Sequence, residues 1–399
     1  MSFAPRRSVP IALACAYVAV ALVAAASCAA PARAQRVARR DTPAPADAPA
    51  AAVTVAWGAP LPFAPTLVAA DTRGAVVVGS LGVAAHRTDG ALAWHTRVAN
   101  VGLEVPAIDA RTVALASRVG DDPRTGSVVV LDRADGELRW ERALGAPPGP
   151  VALGSDTVFV SVESADGARS TLHAFDERSG ATRWSAELPG RVARRSAIVV
   201  DPATDTVVTV SDAGGRWVLG LHDAATGAEE GGLDLGVAGS ASAPALVEPG
   251  WAVVGNGSTG EVLGLDLVGR AVGWVERLEV GFDPSSPPAV GGGLVVVADD
   301  RGDLHALDAR SGAHRWHAPL GAPLLGARPT VAGGLVAVAD WGGAVHVVAA
   351  ADGTALEAPV PGGVATGLAA VRDALVVAVR TAEPDRLEAW RAPAPGPER

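Results

Sequence analysis

The stretch Leu304–Trp316, LHALDARSGAHRW, decides the fold. Apolar residues alternate up to Asp308, three residues lead to Gly312, and Trp316 stands eight residues after the Asp. Alternation of this kind marks a half-buried strand. An Asp at the strand end accepts hydrogen bonds from turn amides, and a Gly four residues on can take positive φ. The chain then reverses into a partner strand. Its Trp carries a large apolar surface together with an N–H that needs an acceptor.

The unit recurs. It reads LHAFDERSGATRW up to Trp184 and VVVLDRADGELRW up to Trp140. Looser copies are VAAHRTDGALAW (Trp94) and VLGLDLVGRAVGW (Trp274), and two eroded copies have Gly231 and Glu357 at the Trp place. With Trp57 as a first copy, the positions are 57, 94, 140, 184, 231, 274, 316 and 357, a mean spacing of about 43. Repeats of roughly 40–45 residues with four strands each are the sequence signature of a β-propeller. The expected fold is therefore all-β, an eight-bladed propeller, or seven-bladed if one eroded unit is not a blade. The C-terminal unit (GLAAV, ALVVAV, RLEAW) has three strands, and AVTVAW, ending at Trp57, is a fourth with no preceding three. The two are expected to complete one blade and abolish an open sheet edge. Trp57, Trp94, Trp140, Trp184, Trp274 and Trp316 are then the residues expected to dock each blade on its neighbour.

Composition agrees. Of 399 residues, 47 are Gly and 30 Pro, which suits short strands and turns rather than helices. A formal charge of −10 argues against a nucleic-acid partner, since phosphate binding needs a basic surface.

The N-terminus reads as an export segment. Arg6 and Arg7 precede an apolar run from Ile11 to Ala26, and Ala32-Arg33-Ala34 gives a small-x-small cleavage site, so 1–34 is expected to be a signal peptide. Ala25-Ala26-Ser27-Cys28 also resembles a lipoprotein cleavage box, although Ala25 stands where Leu is usual; lipidation at Cys28 and cleavage after Ala34 both stay open. Residues 35–52 read as an Ala/Pro-rich linker, 53–392 as the propeller and 393–399 as a disordered tail. The expected location is periplasmic or extracellular, with a membrane touched only through an N-terminal lipid. Both cysteines, Cys15 and Cys28, lie in the export segment, so the folded part has no thiol for a disulfide, metal or nucleophile.

Other constellations carry little chemistry. His173, His305 and His346 take the same repeat position, but in units 3, 6 and 7 of a ring, too far apart for one ion. His314 and His317 flank Trp316 on a strand. Asp299–Asp303 lacks the continuation of a calcium loop and reads as a hairpin turn. No Gly-x-Ser-x-Gly elbow occurs, and Gly291-Gly292-Gly293 leads into a strand rather than a helix. The loops entering each innermost strand should line the mouth of the central channel. Glu104, Arg195, Ser242, Asp283, Ser286 and Arg328 lie on them and are the candidate binding residues.

The repeats Ala174-Phe175-Asp176…Gly180…Trp184 and Ala306-Leu307-Asp308…Gly312…Trp316 resemble those of the pyrroloquinoline-quinone (PQQ)-like, or quinoprotein-dehydrogenase-like, propeller family over about 53–392. Length and repeat number look most like its non-catalytic, BamB-like branch. That resemblance implies a non-enzymatic, monomeric scaffold for envelope proteins or extended peptides, akin to outer-membrane-protein assembly, with no cofactor. The catalytic branch is the alternative: a PQQ-dependent dehydrogenase, or a sensor binding another small ligand. Its members hold PQQ between a Trp and a vicinal Cys-Cys disulfide, beside Ca²⁺ and an Asp. The folded part of this chain cannot supply that disulfide.

Overall fold

The computed structural model describes residues 52–393 apart from 80, 99–104, 119–125, 165, 193–197, 238–240, 284, 325–326 and 383. The expected signal peptide with Cys28, most of the 35–52 linker, Glu104, Arg195 and all but the first residue of the 393–399 tail lie outside the described residues.

Eight antiparallel sheets form an eight-bladed propeller, and no helix occurs among the described residues. Both eroded units are blades, so the count is eight and not seven. Blades 1 to 7 span 65–96, 107–143, 148–187, 191–237, 245–277, 289–319 and 330–356. Within each, the strands follow one another outward from the channel. Middle strands such as Leu335–Ala339 and Ala374–Arg380 are buried on both faces. They therefore read as continuous Val, Ala and Leu runs instead of alternating. The apolar clusters lie between blades: one joins Val253 and Val262 of blade 5 to Val295 and Leu307 of blade 6.

Blade 8 is built from both ends of the chain. Val364–Val371, Ala374–Arg380 and Arg386–Arg391 supply three strands, and Thr54–Pro60 adds the fourth. Val55 pairs with Trp390 and Trp57 with Ala389, and Leu61 N–H donates to Asp385 O at 2.7 Å. Trp390 is fully buried against blade 7.

The six repeat tryptophans each donate to a carbonyl of the next blade. Trp57 Nε1 reaches Thr88 O at 2.9 Å, Trp94 reaches Arg133 O at 3.0 Å and Trp140 reaches Glu177 O at 2.8 Å. Trp184 reaches Ala224 O at 3.0 Å, Trp274 reaches Ala309 O at 3.3 Å and Trp316 reaches Ala350 O at 2.9 Å. The turn glycine of the receiving blade lies on the indole face. Gly312, at φ 71°, would place a Cβ 2.5 Å from Trp274 Cε3. Glycine is needed there twice, for the backbone conformation and for the space.

The two eroded units have different explanations. At the blade 4–5 seam Gly231 replaces the Trp, and the receiving turn carries Arg270, at φ 53°, in place of glycine. Arg270 Nη1 donates to Glu230 O, and a Cβ on Gly231 would come within 3.5 Å of that nitrogen. A guanidinium from one side thus stands where an indole from the other side would be. At the blade 7–8 seam no Asp turn exists to receive an indole, because the third and fourth strands of blade 8 come from opposite ends of the chain. There the incoming chain bonds the eroded position itself, Val53 N–H donating to Glu357 O at 2.9 Å.

Candidate binding surface at the channel mouth

The strands of each blade run antiparallel and four deep, the innermost place of blade 4 being divided between Arg191–Val192 and Val199–Asp201, and this fixes which loops share a face. Connections between blades and the hairpins between second and third strands lie on one face, called here the connection face. The hairpins between first and second strands, and the Asp turns, lie on the other, the turn face.

Four of the six expected binding residues are described, all on the connection face. Ser242 is fully buried: its Oγ donates to Ala243 O at 3.1 Å and accepts from Gly255 N–H at 2.9 Å. Ser286 is buried too, its hydroxyl donating to Ala327 O of the loop entering blade 7. Neither hydroxyl faces the channel; both are spent on holding loops. Asp283 is half-buried and caps its own turn through Ser285 N–H at 2.8 Å. Arg328 lines an open space.

That space is a cavity of about 420 Å³ reaching from blade 7 across blade 8 to blade 1. Thr66–Val68 and Ala365–Leu368, from the innermost strands of blades 1 and 8, form its walls, with Arg328 and Trp341 at the rim. Thr66 and Thr366 turn their hydroxyls to Val78 O and Ala378 O, so the walls offer aliphatic surface beside the polar Arg328 and Asp340. Trp341 is 75% exposed at the tip of a hairpin of blade 7. The backbone beneath it is fixed, with Trp341 N–H on Pro323 O at 3.2 Å and Ala365 N–H on Gly343 O at 3.0 Å. Val360 (93% exposed) lies on the loop leading into blade 8, and Val364 opens that blade's innermost strand. Sequence reading passed over Trp341 because it weighed indoles only in the repeat register. The available signal was an indole inside the turn sequence Asp340-Trp341-Gly342-Gly343, where no strand can bury it.

The histidines are structural. His305 Nε2 pairs with Asp299 Oδ2 and His346 Nε2 with Asp340 Oδ2, each at 3.0 Å, the same brace in consecutive blades. His173 stacks on Phe175 and pairs with Ser185 Oγ at 2.8 Å. Asp299 Oδ1 also accepts from Arg301 N–H and Asp303 N–H, which accounts for the acidic run as a hairpin. Burial, and then the charges of Asp283 and Asp299, raise the pKa of the neighbouring Asp300.

On the turn face a second cavity, of about 400 Å³, opens between blades 2 and 3. Most of its charges are held in ion pairs within and across the two blades. Buried Glu177 accepts from Arg111 at 2.7 Å, lies 3.4 Å from Arg139 and also accepts from Thr112 Oγ1. This is a brace between blades.

The residues present do not fit PQQ held against a vicinal disulfide, because both cysteines precede residue 29. Among the described residues, no three His, Cys, Asp or Glu side chains converge as a metal site requires.

Comparison with solved structures gives the same architecture. BamB from Moraxella catarrhalis superposes with a TM-score of 0.65 at 20% identity, over 87% of this chain and 100% of that one. The computationally designed Ika8 protein gives 0.63 at 15%, over 84% and 98%. Quinohemoprotein alcohol dehydrogenase from Comamonas testosteroni gives 0.58 at 14%, over 87% and 78%. At these identities the likeness concerns the fold. No curated protein matches in sequence. Residues 46–276 and 218–378 match the sequence model described as outer membrane protein assembly factor BamB, and the chain belongs to that family.

Proposed function

We propose that the protein is an exported, non-enzymatic scaffold of the cell envelope that binds other proteins or extended peptides on its connection face. The observation that carries this reading is the pairing of a closed ring with an open cavity, part aliphatic and part polar, that has exposed Trp341 at its rim. Exposed aromatic anchors beside a pocket are the usual centres of binding energy at protein interfaces. Family membership supports the envelope location and a part in assembling other proteins.

A photo-crosslinking residue at position 360, used in envelope extracts, tests it. Defined protein adducts are expected from the connection face and none from a control position on the turn face; equal labelling from both would overturn the reading. Mass analysis of the mature N-terminus is expected to show export, with either a lipid on Cys28 or an end at Gln35.

The second reading is a small-ligand propeller of the quinoprotein type. Its support is the structural likeness to the alcohol dehydrogenase and a cavity within the size range of ligand pockets. It predicts a change in the absorbance of PQQ when PQQ and Ca²⁺ are mixed with the protein; the scaffold reading predicts none.

A further inference from the structure

The groove beside Trp341 borders a second kind of surface. The loop running from blade 6 into blade 7 passes between two hairpins. On one side, Gly302 lies against the backbone of Ala322 so closely that no side chain could stand there. On the other, Trp341 N–H bonds Pro323 O. The hairpin tips carrying Asp300 and Trp341 are therefore neighbours across a single strap of chain. The segment entering blade 6 joins the same patch, since Asp300 N–H donates to Gly281 O at 3.0 Å.

Charge on this patch is lopsided. Asp299 and Asp303 are taken up by His305 and His317. Glu279, Asp283 and Asp300 remain, against Arg301 on residues 279–286 and 299–303 among the described residues and Arg328 at the groove's rim. Asp300 holds its proton more tightly than an ordinary carboxyl, through burial and then through Asp283 and Asp299, as excess negative charge requires. An aliphatic groove with an indole rim thus adjoins an acidic patch on one face.

We propose that this groove binds an extended peptide segment that is basic and carries an apolar side chain. The apolar side chain packs on Trp341 and the aliphatic part of the wall at Leu67, Val68 and Leu368, and the cations lie over Asp283 and Asp300. The proposal rests on the scaffold reading and adds the chemistry of the partner. Complementary charge sets which segment docks, and the buried apolar contact supplies most of the hold.

Fluorescence anisotropy with the full chain and labelled twelve-residue peptides tests it. One peptide alternates Lys with Leu, one Glu with Leu and one Lys with Ser. The Lys/Leu peptide is expected to bind best and to weaken as salt is raised. Trp341→Ala should reduce its affinity about tenfold or more, with Trp341→Phe keeping most of it. Asp283→Asn with Asp300→Asn should weaken the Lys/Leu peptide and leave the Glu/Leu peptide unchanged or tighter. All substituted side chains reach the surface, and an unchanged melting temperature checks that each variant is folded. Equal binding of the Lys/Leu and Glu/Leu peptides, or no effect of Trp341→Ala in a folded variant, would overturn the proposal. The scaffold reading has its own test: adducts at position 360 that persist in Trp341→Ala would sink the groove assignment alone, whereas absence of adducts in the unaltered chain would sink both.

Discussion

Gly231 and Arg270 exchange the parts that Trp and Gly play at six other seams. If the exchange is a matched pair, Gly231→Trp should be worse alone than together with Arg270→Gly. Gly231→Trp meets the Arg270 side chain and also strains a backbone at φ 144°, whereas Arg270→Gly empties the space beside Glu230 but relieves a residue at φ 53°. A thermal-denaturation double-mutant cycle is expected to show Gly231→Trp strongly destabilised and the double mutant recovering part of that loss, with a coupling of about 1–3 kcal/mol. Additive effects would mean that the two positions evolved separately. At an ordinary seam the indole is irreplaceable: Trp316→Ala should cost about 3–5 kcal/mol in chemical denaturation. A loss under about 1 kcal/mol would contradict its docking role.

At the scale of the strand, Thr54–Pro60 is both the outer strand of blade 8 and the donor of Trp57 to blade 1. Deleting 53–58 removes the pairing of Arg386–Arg391 and one indole lock together, leaving a sheet edge open to other chains. Light scattering should show aggregation on mild heating, together with a lowered melting temperature; an unchanged melting curve would refute closure. The elements were legible in the sequence because each depends on a local rule. Asp308 and Gly312 make a turn wherever they stand, and Trp316 needs a carbonyl. The site was less legible because burial in loops depends on what another blade brings. Ser242 and Arg328 precede equivalent strands, yet Ser242 is buried on Gly255 N–H whereas Arg328 borders a cavity. The loss of Trp at 357 likewise follows from a chain end 300 residues away, which no local pattern records.

For the molecule as a whole, the imidazoles make stability depend on pH. Burial lowers the pKa of His86, His173 and His222, in blades 1, 3 and 4. Below about pH 6.5 the unfolded chain takes up protons at these rings that the native protein does not. Stability should therefore be level above about pH 7 and fall steadily as the pH drops below about 6.5. The carboxylates held low by arginine, such as Asp176 and Asp308, act only in a more acidic range. His222 occupies the position held by Leu131, Phe175 and Leu307 in other blades, and burial works against its charged form there. His222→Leu is expected to raise stability by about 1 kcal/mol at neutral pH and to shallow the acid slope. A steeper slope would show that the ring is charged in the native state.

Blade 8 also imposes an order of events on synthesis. Val55 meets Trp390 only after all the intervening residues exist, so the first strand made must wait, unpaired, for the last. A growing chain can stack seven blades but cannot shut the circle. Until its final residues arrive, Trp57 can already dock on blade 1, but the backbone of Thr54–Pro60 has no Arg386–Arg391 to pair with and stays open to other chains.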